Sequence, residues 1–137
     1  MNTRRITALL SLAMLAACAG TPGPGDSGYP YNVAGPYTGQ FVVDGEALPS
    51  TIQLQTHAGG VVTGSFNVSP LGISGELEGT VIGDQLTFKG DYANPTSGCD
   101  GVAEITATIG EDGTTIRGRI EVLECGQRLT GTMRFSR

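Results

Sequence analysis

Residues 72–92 read Gly72-Ile73-Ser74-Gly75-Glu76-Leu77-Glu78-Gly79-Thr80-Val81-Ile82-Gly83-Asp84-Gln85-Leu86-Thr87-Phe88-Lys89-Gly90-Asp91-Tyr92. In the first half Ile73, Leu77 and Val81 fall on one phase, and Ser74, Glu76, Glu78 and Thr80 on the other. A period of two places successive side chains on opposite faces of an extended chain, so each half is a half-buried strand. Gly83-Asp84 between them supplies the positive φ that a tight hairpin needs. Gly75, Gly79 and Gly90 share the apolar phase of their strands.

The pattern extends in both directions. Alternation with turn residues between the runs predicts eight strands, at 37–43, 50–56, 61–68, 72–82, 85–92, 102–109, 114–122 and 127–135. Ile52 and Leu54 alternate with Thr51, Gln53 and Gln55, and Ile116, Ile120 and Val122 with Arg117, Arg119 and Glu121. Leu129, Met133 and Phe135 alternate with Gln127, Thr130, Thr132 and Arg134. Gly59-Gly60 and Glu111-Asp112-Gly113 are further hairpin turns. No window of ten or more residues after Cys18 has a helical period.

Gly39, Gly64, Gly118 and Gly131 also take the inward phase. A glycine there adds no core contact and weakens the strand. It belongs where a strand coils sharply or where facing side chains need space. Sequential strands with inward kinks predict an all-β fold, an eight-stranded antiparallel up-and-down (meander) β-barrel whose closure removes the sheet edges. A two-sheet β-sandwich is the alternative. Gln, Glu, Lys and Arg on the outward phase at mid-strand argue against a lipid-facing exterior, where each basic residue costs about 2–4 kcal/mol.

The 137 residues allow one domain. The 22 glycines exceed average usage, but their fixed phase beyond residue 37 is not a property of disordered chain. Removing residues 1–17 takes away Arg4 and Arg5, leaving six basic against 13 acidic residues, a net charge of −7. That balance excludes nucleic acid and a basic grip on anionic lipid.

The N-terminus has a positive start, Arg4-Arg5, then an apolar run from Ile6 to Ala17 that is too short to span a bilayer as a helix. Leu15-Ala16-Ala17-Cys18 resembles the lipobox of bacterial lipoproteins. The resemblance implies that residues 1–17 are a signal peptide and that Cys18 becomes the lipidated N-terminus, a stable membrane anchor. Ala19, where that family carries aspartate for inner-membrane retention, implies the outer membrane if the host has one, with the protein in the cell envelope. Residues 18–36 are rich in glycine and proline and read as a flexible tether, with 37–137 the barrel domain. Tyr29, Tyr31 and Val33 are apolar exceptions that dock on the domain or offer a partner motif.

With Cys18 lipidated, Cys99 and Cys125 form an even pair in an exported domain, which reads as a disulfide worth roughly 3 kcal/mol. His57 is read as an exposed turn residue without an adjacent nucleophile and acid. Asp84, Asp100, Glu111 and Asp112 are assigned to turns too short for calcium loops, and Glu76 and Glu78 to an outward, solvated face. No metal, cofactor or catalytic set is expected, because no convergent polar group points inward.

The meander of short strands resembles the calycin-type barrels, which include the lipocalins. Gly35-Pro36-Tyr37 stands where that family has Gly-x-Trp, and Arg134 is the candidate late arginine to stack on it. The sequence thus supports a non-enzymatic binding or structural module of the envelope, with a protein partner. A carrier of a small apolar ligand and a protease-inhibitor-like barrel are the alternatives. Inward residues such as Phe41, Leu54, Phe66, Phe88, Ile105 and Ile120 are expected to nearly fill the barrel, the alternative being that the inward glycines and the alanines Ala103 and Ala107 leave a pocket. An apolar pocket above roughly 300 Å³ excludes that filled barrel, and a packed interior excludes the carrier.

Overall fold

The computed structural model describes residues 31–137. The segments read as signal peptide and tether, up to residue 30 and with Cys18 and Tyr29 included, lie outside the described residues. The strands are β1 (Gly35–Val43), β2 (Glu46–Thr56), β3 (Val61–Val68), β4 (Ile73–Ile82), β5 (Gln85–Asn94), β6 (Cys99–Ile109), β7 (Thr115–Glu124) and β8 (Gln127–Ser136). Each pairs antiparallel with its neighbour in the chain, and β1 closes on β8 from Thr38↔Ser136 to Val43↔Gly131. The fold is a closed eight-stranded up-and-down barrel, not a sandwich.

Several strands are longer than their alternation indicated. β2 starts at Glu46 and runs through Pro49, a residue that cannot donate to a ladder. Pro49 faces Gln40 of β1, while the pairing with β3 begins only at Ser50, so its missing N–H leaves no bond unmade on that side. β6 begins at Cys99 and so takes in Asp100, which was expected in a turn. Two-residue turns at Asp44-Gly45 and Cys125-Gly126 complete the mouth-side hairpins β1–β2 and β7–β8; all four residues have positive φ, from 50° to 80°, as a type I′ turn requires.

An up-and-down barrel has two distinct ends. At one, the base, lie the β2–β3, β4–β5 and β6–β7 connections and both described chain ends; the other four connections surround the mouth. Residues 31–34 seal the base. Val33 is fully buried, and its carbonyl accepts the Tyr37 hydroxyl at 3.0 Å. The Tyr31 N–H donates to the Gly83 carbonyl at 3.2 Å. The Arg137 guanidinium lies 5.5 Å from the Tyr37 ring centre and donates to the carbonyls of Ala34 and Asn32, at 2.6 and 3.1 Å. Arg137, not Arg134, is therefore the arginine on Tyr37. Arg134 sits on the outward phase of β8 opposite Arg117, because an even offset from Phe135 would be needed to face inward.

The inward glycines fall into two groups. A Cβ on Gly39, Gly64, Gly79, Gly118 or Gly131 would run into a backbone carbonyl of the neighbouring strand, belonging to Arg134, Gln53, Thr87, Thr106 and Val42 respectively. Those positions are where tightly coiled strands fold over one another. On Gly101 the Cβ would instead meet the Tyr92 ring, and on Gly75 and Gly90 it would meet the Phe66 ring and the Leu77 side chain as well as the Asp91 and Glu76 carbonyls. These make room for large side chains inside the barrel. Outside, exposed Gln53, Glu76, Glu78, Lys89, Glu104, Arg117 and Arg119 present a surface built for water. Among the described residues no helix is long and apolar enough to cross a membrane.

Candidate functional site: a half-hollow barrel

The interior is packed at one end and hollow at the other. The seven largest side chains that are essentially inaccessible are Tyr37, Phe135, Leu54, Leu86, Ile116, Val33 and Val62. All of them lie in the base half, at the ends of β1 to β8 nearest the sealed opening. Above them a cavity of about 230 Å³ reaches from Leu77, Ile105 and Ile120 to the rim at Asp44 and Glu46. Phe41, Phe66, Ala103 and Val122 wall it, and Leu71 lies over its edge. Thr96 Oγ1 donates to the Leu71 carbonyl at 3.2 Å, which ties the β3–β4 connection to the β5–β6 loop. The base half is filled as expected, and the upper half keeps this cavity, with the small Ala103 in its wall.

The volume lies between the limits set above. It is below the 300 Å³ at which drug-sized pockets begin, yet above the roughly 150 Å³ apolar cavity that suffices for benzene. Scaling from benzene, the space suits a body of about nine or ten heavy atoms.

Three polar residues converge at the mouth, against the expectation that none would point inward. Tyr92 on β5 faces Gly101 on β6, which faces Glu124 on β7. With no side chain at Gly101, the Tyr92 ring lies across that position and its hydroxyl faces the Glu124 carboxylate. Asn94, buried, donates through Nδ2 to Glu124 Oε1 at 3.0 Å. Its Oδ1 accepts the backbone N–H groups of Thr96 and Ser97, at 2.9 and 3.4 Å, which fixes the amide orientation and shapes the β5–β6 loop. Burial first, and then the adjacent Glu124 charge, push the Tyr92 hydroxyl well above the ordinary tyrosine value. It is a neutral donor at physiological pH, not a base.

Asn94 and Glu124 lay beyond the strand ends read from sequence, which stopped at 92 and 122. The signal was present: both residues continue the inward phase, as 88-90-92-94 and 120-122-124. The disulfide Cys99–Cys125 joins the start of β6 to the β7–β8 turn, with Cα atoms 5.5 Å apart, next to Glu124. It staples the mouth.

The remaining sequence candidates are dispersed. His57 is exposed beside the base, with Nε2 2.7 Å from Thr63 Oγ1. Asp112 accepts the Thr114 N–H at 2.8 Å in the β6–β7 connection, a bond that holds its carboxyl below the usual aspartate range. Glu76 and Glu78 are outward and exposed, opposite Asp91 and Lys89. Asp84 and Glu111 occupy base turns. Among the described residues no three His, Cys, Asp or Glu side chains group as metal ligands.

No protein-family model, curated protein or solved structure matches the chain. Function is therefore argued from the cavity itself.

The two interior tyrosines predict an alkaline limit. Burial raises both Tyr37 and Tyr92 above the ordinary value near 10, with Arg137 partly opposing the effect at Tyr37. The folded state then keeps protons that the unfolded chain releases near pH 10, so stability is constant below that pH and falls as pH rises above it. Urea midpoints measured from pH 7 to 11.5 should decline above pH 10, and less steeply in Tyr92→Phe. An equal decline in the variant would remove Tyr92 as a cause.

Proposed function

We propose that this protein is a lipid-anchored binding protein of the bacterial cell envelope that holds a small, mainly apolar molecule in the upper half of its barrel. The observation that carries the reading is the 230 Å³ cavity, walled by Phe, Leu, Ile and Val and open at one end only. A natural core is close-packed, and an unfilled space of this size forfeits dispersion contacts on every wall. Such a void is retained where something fills it in use. The small Ala103 lines the space, while the base is closed by Val33, Tyr37 and Arg137.

The proposed anchor fits this geometry. The chain enters the barrel at the base, through Tyr31 beside Gly83. A lipid on Cys18 would therefore be attached through the end of the barrel opposite the mouth. The polar trio supplies donors and acceptors for orienting a ligand, and a neutral tyrosine with a stabilised amide does not make an activated nucleophile.

Indole, with nine heavy atoms, is a suitable probe. The chain contains no tryptophan, so indole emission excited at 295 nm is read against a dark protein. Wild-type protein should bind indole saturably at one site. Ala103→Leu, which adds three carbons to the cavity wall, should weaken binding at least tenfold and leave Tm unchanged or raised. Absence of indole binding, or equal binding by Ala103→Leu, overturns the carrier reading and returns the barrel to a protein-binding module.

A further inference from the structure

The polar end of the cavity has a definite charge. Three carboxylates, Asp44, Glu46 and Glu124, line its mouth, and among the described residues no basic side chain lines it. The described cations are placed elsewhere. Lys89, Arg117, Arg119 and Arg134 lie on the outward phase, Arg128 is spent on outward Glu121 at 3.0 Å, and Arg137 is at the base. Glu124 differs from the two rim acids because it sits on the inward face and is positioned by its neighbours. Asn94, itself locked by two backbone N–H groups, holds one carboxylate oxygen, and the Tyr92 hydroxyl faces the group from across Gly101. A carboxylate is acceptor-only and offers about four lone-pair sites, so these contacts leave acceptor capacity toward the cavity. Below it the walls are apolar.

From this arrangement we propose that the cavity selects a protonated amine carried on a small aromatic or aliphatic body, with the ammonium group at Glu124 and the body between Phe66, Ile105 and Ile120. The proposal rests on the carrier reading above and adds the identity of the head group. An ammonium donates up to three hydrogen bonds and gains from a partly desolvated carboxylate at low local dielectric. The phenol of Tyr92 offers its oxygen as a further acceptor. An anionic amphiphile such as a fatty acid meets three like charges at the entrance with no cation to receive it, and the mouth field opposes its entry. The negative mouth also raises the local concentration of cationic ligands, an effect that weakens with salt.

Three indole derivatives separate the head group from the body: tryptamine is cationic, tryptophol neutral and indole-3-acetate anionic at pH 7. All three are measured on the full folded protein by the same fluorescence titration, with indole itself as the reference. Tryptamine should bind at least tenfold tighter than tryptophol, and indole-3-acetate more weakly than either. Glu124→Gln retains an oxygen for Asn94 and should bring tryptamine within about twofold of tryptophol, while indole binding stays within twofold of wild type. Raising sodium chloride to 0.5 M should narrow the tryptamine preference in wild type and leave the Glu124→Gln ratio unchanged. If indole binds but the three derivatives bind equally, or if Glu124→Gln keeps the preference, the amine proposal fails and the apolar carrier stands. If indole itself does not bind, the carrier reading fails first. Loss of indole binding and of Tm together in Glu124→Gln would make Glu124 a structural residue of the mouth and overturn its assignment as the head-group site.

Discussion

Gly79→Val should leave no folded barrel at room temperature. Gly79 lies inward on β4, opposite Phe88 of β5 and Val62 of β3. A Cβ there would fall on the Thr87 carbonyl oxygen and crowd the Phe88 Cα at 2.9 Å. The obstacle is backbone, so no rotamer change relieves it, and the strands separate only if the β4–β5 ladder breaks. Ordinary overpacking costs about 1–3 kcal/mol because side chains give way. Here the cost should exceed about 4 kcal/mol, a large part of the 5–15 kcal/mol that holds a domain together. Far-UV circular dichroism should report loss of the strand signal, whereas Thr80→Val, one residue away on the exposed outer face, should shift Tm by only a few degrees. A Gly79→Val protein melting within a few degrees of wild type would show that β4 and β5 are not packed this closely.

Removing the disulfide should have the next largest effect. Cys99 and Cys125 are 26 residues apart in sequence, and a closed loop of that length contributes roughly 3 kcal/mol in the chain-entropy model. At about 4–8 °C per kcal/mol for a domain of this size, Cys99→Ala/Cys125→Ala should lower Tm by at least about 10 °C. Cys125 adds a second effect, since its φ of 50° is a conformation that side chains other than glycine adopt at some cost. Cys99→Ala/Cys125→Gly should therefore melt higher than the double alanine variant. If the double alanine variant melts within 3 °C of wild type, the bridge does not hold the mouth. Reversal of the order between the alanine and glycine variants would argue against a left-handed turn residue at 125.

The sequence predictions separate by the range over which the underlying physics acts. The eight runs of alternation, the Gly83-Asp84 turn and the inward glycines are local patterns, and each appears where its residues put it. The pairing of Cys99 with Cys125 followed from the cysteine count once Cys18 was set aside as the candidate for lipidation. Errors arose where a neighbour's register decides the outcome. The strand read as starting at residue 50 begins at Glu46 and passes through Pro49, beyond which β3 starts to pair. The family resemblance points to Arg134 as the arginine on Tyr37, but Arg134 takes the outward face and Arg137 lies on the ring. Asn94 and Glu124 continue an inward phase past strand ends that turn-forming neighbours, Pro95 and Gly126, made appear earlier.

Sequence by itself determined the fold class, because a period of two with turns between runs leaves an antiparallel meander as the economical way to bury every apolar face. It also marked, through glycine on the inward phase, the positions where strands coil closely or facing side chains need space, and the structure shows both. Whether the closed barrel would be filled was decided by tertiary structure alone. A cavity is the small difference between the space that strand coil and register enclose and the volume of the side chains sent into it. Val33, from the segment read as tether, completes the packing at the base, and toward the mouth the side chains around the small Ala103 leave a cavity. The same closure carries Tyr92 across Gly101 to Glu124, placing residues 32 positions apart in the chain around one opening.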